Sequence, residues 1–304
     1  MPRQTTAPRY RGRFAPSPSG PLHFGSIVAA LGSYLQARAN GGEWLLRIDN
    51  IDPPREVPGA ADAILRELVR LGLQWDSEVC FQAQRVPAYR AALAQLSATH
   101  QVYACVCSRR EAGDGAYPGT CRERAEAPLA GYTQRLRVRP VTITIHDRLQ
   151  GGYTQTPSEA CGDFVLWRAD DWPTYHLAVV VDDAWMGVTE IVRGVDLLDS
   201  TPRQRYLQQC LGLPTPRYCH LPLALDVDGS KLSKLTLAAP VRGRPASEVL
   251  TLALRFLGHP PPPDALGAAP AALLAWACGA WSLAHVPLRS RRPDDLAAPL
   301  SPAN

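Results

Sequence analysis

The stretch Arg13-Phe-Ala-Pro-Ser-Pro-Ser-Gly-Pro-Leu-His-Phe-Gly-Ser26 decides the fold. It begins in a strand-like segment, passes through a turn with three prolines, and ends where a helix starts. Gly20 and Gly25 allow a ligand to approach the backbone closely, and the free N–H groups of a helix start attract anions. His23 lies where an imidazole can donate to phosphate oxygens, although a histidine before a helix is more often a cap or a packing residue. Taken together, the pattern favours a phosphate site.

A second phosphate signal comes from the lysines. Lys231 and Lys234 are the only lysines in the chain, and every other basic residue among the 32 is an arginine. A site that needs compact, flexible point charges, and not planar guanidinium forks, is a physical reason to retain lysine. The usual partner of such charges is a phosphate chain. The alternative is that two lysines fall by chance in a solvated loop.

Strand-like and helical segments alternate on both sides of the opening stretch. Such alternation predicts parallel βαβ units and an α/β fold. The expected strands are Arg11–Ala15, Trp44–Ile48 and His176–Val181, the last of them an apolar run expected to be buried on both faces. The expected helices are Gly25–Ala39, Pro58–Leu71, Pro87–Ala98, Thr201–Leu211, Ser247–Leu257 and Pro270–Leu283. Between them, residues 103–160 hold short β-like pieces, Gly131–Val138 and Val141–His146, among cysteines, glycines and arginines.

The bulk composition limits the class of protein. With 46% hydrophobic and 20% charged residues, the chain is typical of a globular protein, and no apolar run approaches the ~20 residues of a membrane span. The first residues lack the apolar core of a signal peptide, and eight cysteines without a regular framework indicate a reducing compartment, the cytoplasm. The net charge of +4 is mild, so RNA binding would depend on local arginines, which could equally form an ordinary solvated face. These are Arg109, Arg110, Arg122, Arg124, Arg135, Arg137 and Arg139.

Two of these motifs resemble signatures of a known family. His23-Phe-Gly-Ser26 resembles the His-Ile-Gly-His motif of class I aminoacyl-tRNA synthetases, and Lys231-Leu-Ser-Lys-Leu235 resembles their Lys-Met-Ser-Lys-Ser loop. The opening from Arg13 is similar to that of glutamyl-tRNA synthetases. Further similar segments are Arg47-Ile-Asp-Asn-Ile-Asp52, Val188-Thr-Glu-Ile-Val-Arg-Gly-Val-Asp196 and His220-Leu-Pro-Leu223. The resemblance covers roughly residues 11–240.

The resemblance implies the domain organisation. Residues 11–102 and 161–235 would be the two halves of a Rossmann-like catalytic domain with a parallel sheet, and residues 103–160 a small zinc-binding insertion. Residues 236–304 would form a short helical C-terminal region without an anticodon-binding domain. Only about 70 residues follow the lysine loop. Together with the run Arg55–Ala61, this length resembles the short glutamyl-queuosine tRNA(Asp) synthetases.

The implied activity is a ligase reaction. These enzymes activate L-glutamate with ATP and Mg as glutamyl-adenylate, without tRNA, and transfer it to the queuosine base of tRNA(Asp). The resemblance assigns His23 and Lys234 to the ATP phosphates, Gly25 to ATP binding, and Lys231 to setting the loop. We expect a monomer with no membrane partner.

The glutamate pocket is assigned by the same resemblance to Arg13, Ser17, Asp49, Tyr175 and Arg193. Arg193 is suited to a bidentate grip on a carboxylate, and Asp49 should meet the substrate ammonium. The family usually has Glu-Asp where this chain has Asp49-Asn50, so the reach of the acid is one methylene shorter. Without the family, Arg13 reads as a surface charge and Asp49 as a strand-end cap.

A metal site is expected in the insertion. Cys105-x-Cys107, followed by Tyr117 and Cys121, resembles a zinc site of three thiolates and a tyrosine oxygen. The alternative is three incidental thiols. The remaining cysteines show no such spacing and are expected to be structural: Cys80, Cys161, Cys210, Cys219 and Cys278.

Three other functions are compatible with parts of this pattern. The first is a truncated glutamyl-tRNA synthetase that charges the 3′ end of tRNA(Glu). The second is a non-catalytic synthetase paralogue that binds RNA, which the intact nucleotide motifs disfavour. The third is a different adenylate-forming nucleotidyltransferase, which the glutamate-pocket residues disfavour.

Overall fold

The computed structural model describes residues 9–124, 131–225 and 243–292. Its strands are β1 (Arg11–Phe14), β2 (Glu43–Ile48), β3 (Cys80–Phe81), β4 (Val102–Cys105), β5 (Thr133–Leu136), β6 (Ile143–Asp147), β7 (Gly151–Gln155), β8 (Val165–Trp167), β9 (Glu190–Gly194) and β10 (Arg217–Leu221). Its α-helices are α1 (Phe24–Ala39), α2 (Ala60–Arg70), α3 (Val86–Ala98), α4 (Arg109–Ala112), α5 (Pro157–Ala160), α6 (Tyr175–Trp185), α7 (Thr201–Leu211), α8 (Ala246–Phe256) and α9 (Pro270–Ala280).

Two parallel ladders form the centre of the fold. Strands β1, β2 and β3 pair in parallel, and β10 pairs in parallel with both β9 and β6, while β7 closes this second ladder as an antiparallel hairpin with β6. The ladders meet where Thr189 donates its backbone N–H to the carbonyl of Arg11 at 2.9 Å. The α/β class with a parallel sheet is therefore confirmed.

The segment 103–160 contributes to two sheets. Its strand β5 pairs antiparallel with β4 and β8 in a separate three-stranded sheet. Its strand β6 instead joins β10 through the pair Tyr218 and Asp147. This second connection brings the end of the segment against the central ladder.

Helix α1 fixes the geometry of the site. It is buried along most of its length and packs between the strands and the C-terminal helices α8 and α9. A Cβ atom at Gly32 would lie 2.5 Å from Cδ1 of Leu221, so any larger residue would require the Leu221 side chain to move out of the close contact between α1 and β10. This packing places the N-terminus of α1 beside the carboxyl ends of the strands.

One element was predicted wrongly. The run His176–Val181, expected to be a strand, lies inside helix α6. A six-residue apolar run cannot be assigned to strand or helix by periodicity alone, and its valines favour a strand. The run forms a helix because Leu177, Ala178 and Val180 pack into the core while the same helix continues to two buried aspartates. The other expected strands and helices are confirmed to within three residues at each end.

Among the residues that the structure describes, no helix has the length and apolar character needed to cross a bilayer.

Candidate active site

A cavity of about 360 Å³ opens at the carboxyl ends of the parallel strands. Its walls come from the loop after β1, the start of α1, the end of β2, the start of α6 and the loops after β9 and β10. Ligands of open α/β sheets bind at this edge because the strand ends and helix starts converge there. The residues of the sequence prediction that line the cavity are Arg13, Ser17, His23, Gly25, Asp49, Tyr175 and Arg193.

The N-terminus of α1 is capped by His23. The His23 ring accepts the backbone N–H of Ser26 through Nδ1 at 3.2 Å, and Nε2 lies 3.0 Å from Oγ of Ser26. A Cβ atom at Gly25 would lie 3.1 Å from the ring, so glycine leaves room for this cap. His23 is therefore a helix cap, as the alternative interpretation of this residue predicted, and the helix start that it caps faces the cavity. Contact between His23 and a phosphate group stays a prediction.

Arg13 and Asp49 belong to a buried ion-pair network. Arg13 donates to both carboxylate oxygens of Asp183, at 3.1 and 3.3 Å. Arg47, with none of its surface exposed, bridges Asp49 and Asp183 with two contacts of 2.6 Å each. Asp182 lies next to this group and pairs with Arg85 at 2.5 Å. Three arginines and three aspartates balance one another within this network, and Arg13, Arg47 and Asp49 are its members that line the cavity.

The pKa values of Asp49 and Asp183 are shifted in opposite directions. Burial raises the pKa of Asp183, but Arg13 and Arg47 outweigh it and hold that pKa below its usual value. At Asp49 burial dominates over the attraction of Arg47, and the pKa is raised. A substrate ammonium beside Asp49 would favour its charged form.

Arg193 reaches the cavity from β9 with its guanidinium held on several sides. Its Nε donates to Nε2 of His220 at 3.1 Å, and one terminal nitrogen donates to Thr201 Oγ1 at 2.8 Å and to the Leu197 carbonyl at 3.3 Å. The other terminal nitrogen lies 3.4 Å from the Tyr175 hydroxyl. Of five guanidinium N–H groups, one remains for a ligand, so the expected bidentate grip requires Tyr175 as a second donor.

Several residues of the site were not predicted from the sequence. Arg47 lies in the segment Arg47–Asp52 but was given no role. Asp49 follows it by two residues, directly after the end of β2, and residues two apart in an extended chain share a face, which was a usable signal. The pair Asp182-Asp183 directly after an apolar run was a usable sign of buried charges. No sequence signal connected His220 with Arg193.

Lys231 and Lys234 lie outside the described residues. Their expected phosphate roles stay predictions.

A second cluster joins three thiols and a phenol near β4. The Tyr117 hydroxyl lies 3.2 Å from Sγ of Cys105 and 3.4 Å from Sγ of Cys107, and the sulfurs of Cys107 and Cys121 are 3.5 Å apart. Zinc–thiolate bonds of about 2.3 Å place tetrahedral donors roughly 3.7 Å apart, so these four donors fit one zinc ion. Within the three described ranges, no other group of three or more cysteine, histidine or acidic side chains lies close enough together to hold one metal ion.

Comparison with known sequences shows the family of this chain. A model described as tRNA synthetases class I (E and Q), catalytic domain, matches residues 9–114 and 122–246. The chain belongs to this family, and it is a ligase of the aminoacyl-tRNA synthetase type. The family implies ATP and Mg as cofactors, and the resemblance read from the motifs is confirmed.

Within the family, curated relatives identify a subgroup. The Glutamyl-Q tRNA(Asp) synthetase of Ectopseudomonas mendocina is 52% identical over 284 residues, covering 93% of this chain and 96% of the relative. The Glutamyl-Q tRNA(Asp) synthetase of Chromobacterium violaceum is 53% identical over 286 residues, covering 91% and 95%.

Solved structures support the fold. The crystal structure of a glutamate tRNA ligase from Elizabethkingia meningosepticum, in complex with its amino acid, matches with a TM-score of 0.80. The match covers 95% of this chain and 68% of that one, at 24% sequence identity.

Proposed function

We propose that this protein activates L-glutamate with ATP, without tRNA, and transfers the glutamate to the queuosine base of tRNA(Asp). One observation carries the activation step: Arg13 and Arg193 line the same cavity as the capped N-terminus of α1. Guanidinium groups suit the carboxylates of an acidic amino acid, and a helix N-terminus suits a phosphate chain. The identity of the acceptor, the queuosine base of tRNA(Asp), is inferred from the names of relatives. These relatives are about half identical to this chain over most of its length.

In the first step, an α-carboxylate oxygen of glutamate attacks the α-phosphorus of ATP. The bond from that phosphorus to the bridging oxygen of the β-phosphate breaks, giving glutamyl-adenylate and pyrophosphate. Mg, when bound, would neutralise phosphate charge. The reaction needs no protein nucleophile, so the protein contributes positioning and charge stabilisation. We assign His23 and Gly25 at the start of α1 to ATP, together with Lys234, and Lys231 to the loop.

One of the two carboxylates of glutamate would bind between two hydrogen-bond donors. Arg193 offers its remaining N–H, and Tyr175, whose oxygen accepts from Arg193, can donate its own O–H to the second carboxylate oxygen. Asp49 is assigned to the ammonium, with Ser17 and Arg13 completing the pocket. Arg47 holds Asp49 in place through two hydrogen bonds, at 2.6 and 3.3 Å.

In the second step, a hydroxyl of the queuosine cyclopentenediol attacks the activated carbonyl. An ester forms, the bond between the acyl carbon and the phosphate oxygen breaks, and its electrons leave with AMP. The hydroxyl proton passes to water. The modified base would enter the cavity from an opened anticodon loop, which is how proteins usually read single-stranded RNA.

The test uses radiolabelled glutamate and three purified RNAs. These are queuosine-containing tRNA(Asp), the same tRNA from cells unable to make queuosine, and tRNA(Glu). We expect label only on the first, together with glutamate-dependent ATP–pyrophosphate exchange in the absence of tRNA. Label on tRNA(Glu) regardless of modification would establish a 3′-end synthetase instead. No label and no exchange would establish a non-catalytic protein.

We also propose that Cys105, Cys107, Tyr117 and Cys121 hold a structural zinc ion. The backbone N–H of Cys121 donates to the Tyr117 oxygen at 3.1 Å, and the Arg135 guanidinium lies 3.8 Å from the Tyr117 ring centroid. The Cys121 N–H favours a negatively charged tyrosine oxygen, but burial and the neighbouring thiols outweigh it and raise the pKa of Tyr117 above its usual value. A zinc ion at this position would supply the positive charge that stabilises the ionised phenol. Cysteines that form no disulfide persist in a reducing compartment, which supports a cytoplasmic location. We also propose that the protein is a monomer.

The zinc proposal predicts a metal content that depends on single thiols. The wild-type protein should contain about one zinc per chain, and Cys107→Ala should lose most of it and unfold at a lower temperature, since structural zinc contributes directly to folding. Elemental analysis and thermal unfolding measure both effects. Cys278→Ala, outside the cluster, is the control and should keep its zinc. Wild-type protein free of zinc after growth in zinc-supplemented medium would contradict the proposal.

A further inference from the structure

We propose that Asp147 and His220 form a positioning dyad that fixes the guanidinium of Arg193 for glutamate binding. The proposal rests on the assignment of Arg193 to glutamate made above. Neither Asp147 nor His220 lines the cavity, so both would act through Arg193 and not by touching the substrate.

The carboxylate of Asp147 is held rigidly by backbone N–H groups. Asp147 ends β6, and its Oδ1 accepts the backbone N–H groups of Leu149 at 3.0 Å, Gln150 at 2.8 Å and His220 at 3.2 Å. Its second oxygen lies 2.6 Å from Nδ1 of His220, and both side chains are fully buried. The backbone contacts fix the direction in which the carboxylate points.

The hydrogen-bond directions select one tautomer of the imidazole. An ionised carboxylate can only accept, so Nδ1 of His220 carries the proton and donates it to Asp147. The Nε–H of an arginine can only donate, so Nε2 of His220 accepts it, at 3.1 Å. Burial lowers the pKa of His220 despite Asp147, and a neutral ring meets both requirements.

Sheet order brings the three residues together. Asp147, His220 and Arg193 lie on the adjacent strands β6, β10 and β9, and His220 is in register with Arg193. Because Nε of Arg193 is held at one edge of the guanidinium, the terminal nitrogen beside Tyr175 is directed to the cavity wall. Loss of the imidazole would weaken this orientation, leaving Thr201 and Leu197 as the remaining acceptors. It would also leave a buried N–H without its acceptor.

The primary test compares two substitutions of His220 in glutamate-dependent ATP–pyrophosphate exchange. His220→Leu removes the hydrogen bonds to Asp147 and Arg193, together with the 3.2 Å contact between Nε2 and Thr201 Oγ1. We expect the KM for glutamate to rise about tenfold or more, with the KM for ATP nearly unchanged. His220→Gln can accept from Arg193 and donate to Asp147, so it should restore most of the glutamate affinity. A purely structural role would lower the amount of folded enzyme without this separation of the two KM values. An unchanged KM for glutamate in His220→Leu, or an equal rise in both KM values, would overturn the proposal.

A second measurement is independent of catalysis. Nitrogen-15 NMR of histidine side chains, with the His220 signal identified by its absence in His220→Gln, should show Nδ1 protonated and Nε2 unprotonated, and Arg193→Lys should shift the Nε2 signal. The opposite tautomer would overturn the dyad. If His220→Leu does not fold, Asp147→Asn, with its altered donor pattern, should show the same selective rise in the KM for glutamate. Wild-type protein without glutamate-dependent exchange would refute the proposed function, while the NMR result would still decide the dyad.

Discussion

Replacing Arg47 with methionine is expected to lower the free energy of unfolding by about 3–5 kcal/mol, the usual cost of removing one partner of a buried ion pair. Arg47 is completely buried and makes 2.6 Å contacts with both Asp49 and Asp183. Methionine fills a similar volume but leaves the two carboxylates facing each other without the central cation. Arg13 still pairs with Asp183, whereas Asp49 would lose the arginine that now contacts it directly.

Urea unfolding followed by circular dichroism measures this effect. Arg66→Met is the matched control, since Arg66 lies on the exposed face of α2, and a substitution there should change the stability by less than about 0.5 kcal/mol. An equal, small effect of both substitutions would show that the network contributes little to stability.

The same network predicts a dependence of stability on pH. The pKa of Asp183 lies below its ordinary value of 3.8 because its two arginines outweigh burial. A carboxyl group of this kind stabilises the fold above its ordinary pKa, and the contribution is lost as the pH falls through the folded-state value. In Arg47→Met this acid-dependent loss should be smaller, which unfolding curves between pH 5 and pH 2 would reveal.

Replacing Arg193 with lysine is expected to reduce kcat/KM for glutamate by about 100-fold, corresponding to about 2.7 kcal/mol at 1.36 kcal/mol per factor of ten. The planar guanidinium contacts His220, Thr201 and Tyr175 at once. A lysine ammonium carries the same charge but cannot reproduce this fork. The conservation of charge makes the substitution a test of geometry, because electrostatic attraction to glutamate is retained.

Glutamate-dependent ATP–pyrophosphate exchange gives the value, with thermal unfolding to show that the variant is folded. Arg217→Lys is the control on the neighbouring strand β10: its side chain is largely exposed and pairs with Glu190, so the exchange should remain close to that of the wild type. Full activity of folded Arg193→Lys would show that Arg193 does not bind glutamate.

The local parts of this protein were predictable from its sequence. The strand, turn and helix over residues 13–26 form as expected, because proline and glycine restrict or free the backbone locally and the Ala/Leu-rich helix buries its own apolar residues. The spacing of Cys105, Cys107, Tyr117 and Cys121 likewise anticipated a compact cluster. Motif resemblance also anticipated which distant residues would share the cavity, although it could not give their contacts.

The tertiary structure alone decided how the charged residues pair. Arg47 meets Asp183 across more than a hundred residues, and His220 meets Asp147 and Arg193 because β6, β10 and β9 are neighbours in one sheet. The same packing made a helix of the run His176–Val181. Local sequence sets backbone preferences over a few residues, whereas strand order and the burial of charges depend on which distant segments become neighbours. The sequence therefore determined the elements and the kind of site, and the assembled sheet determined how its side chains are held.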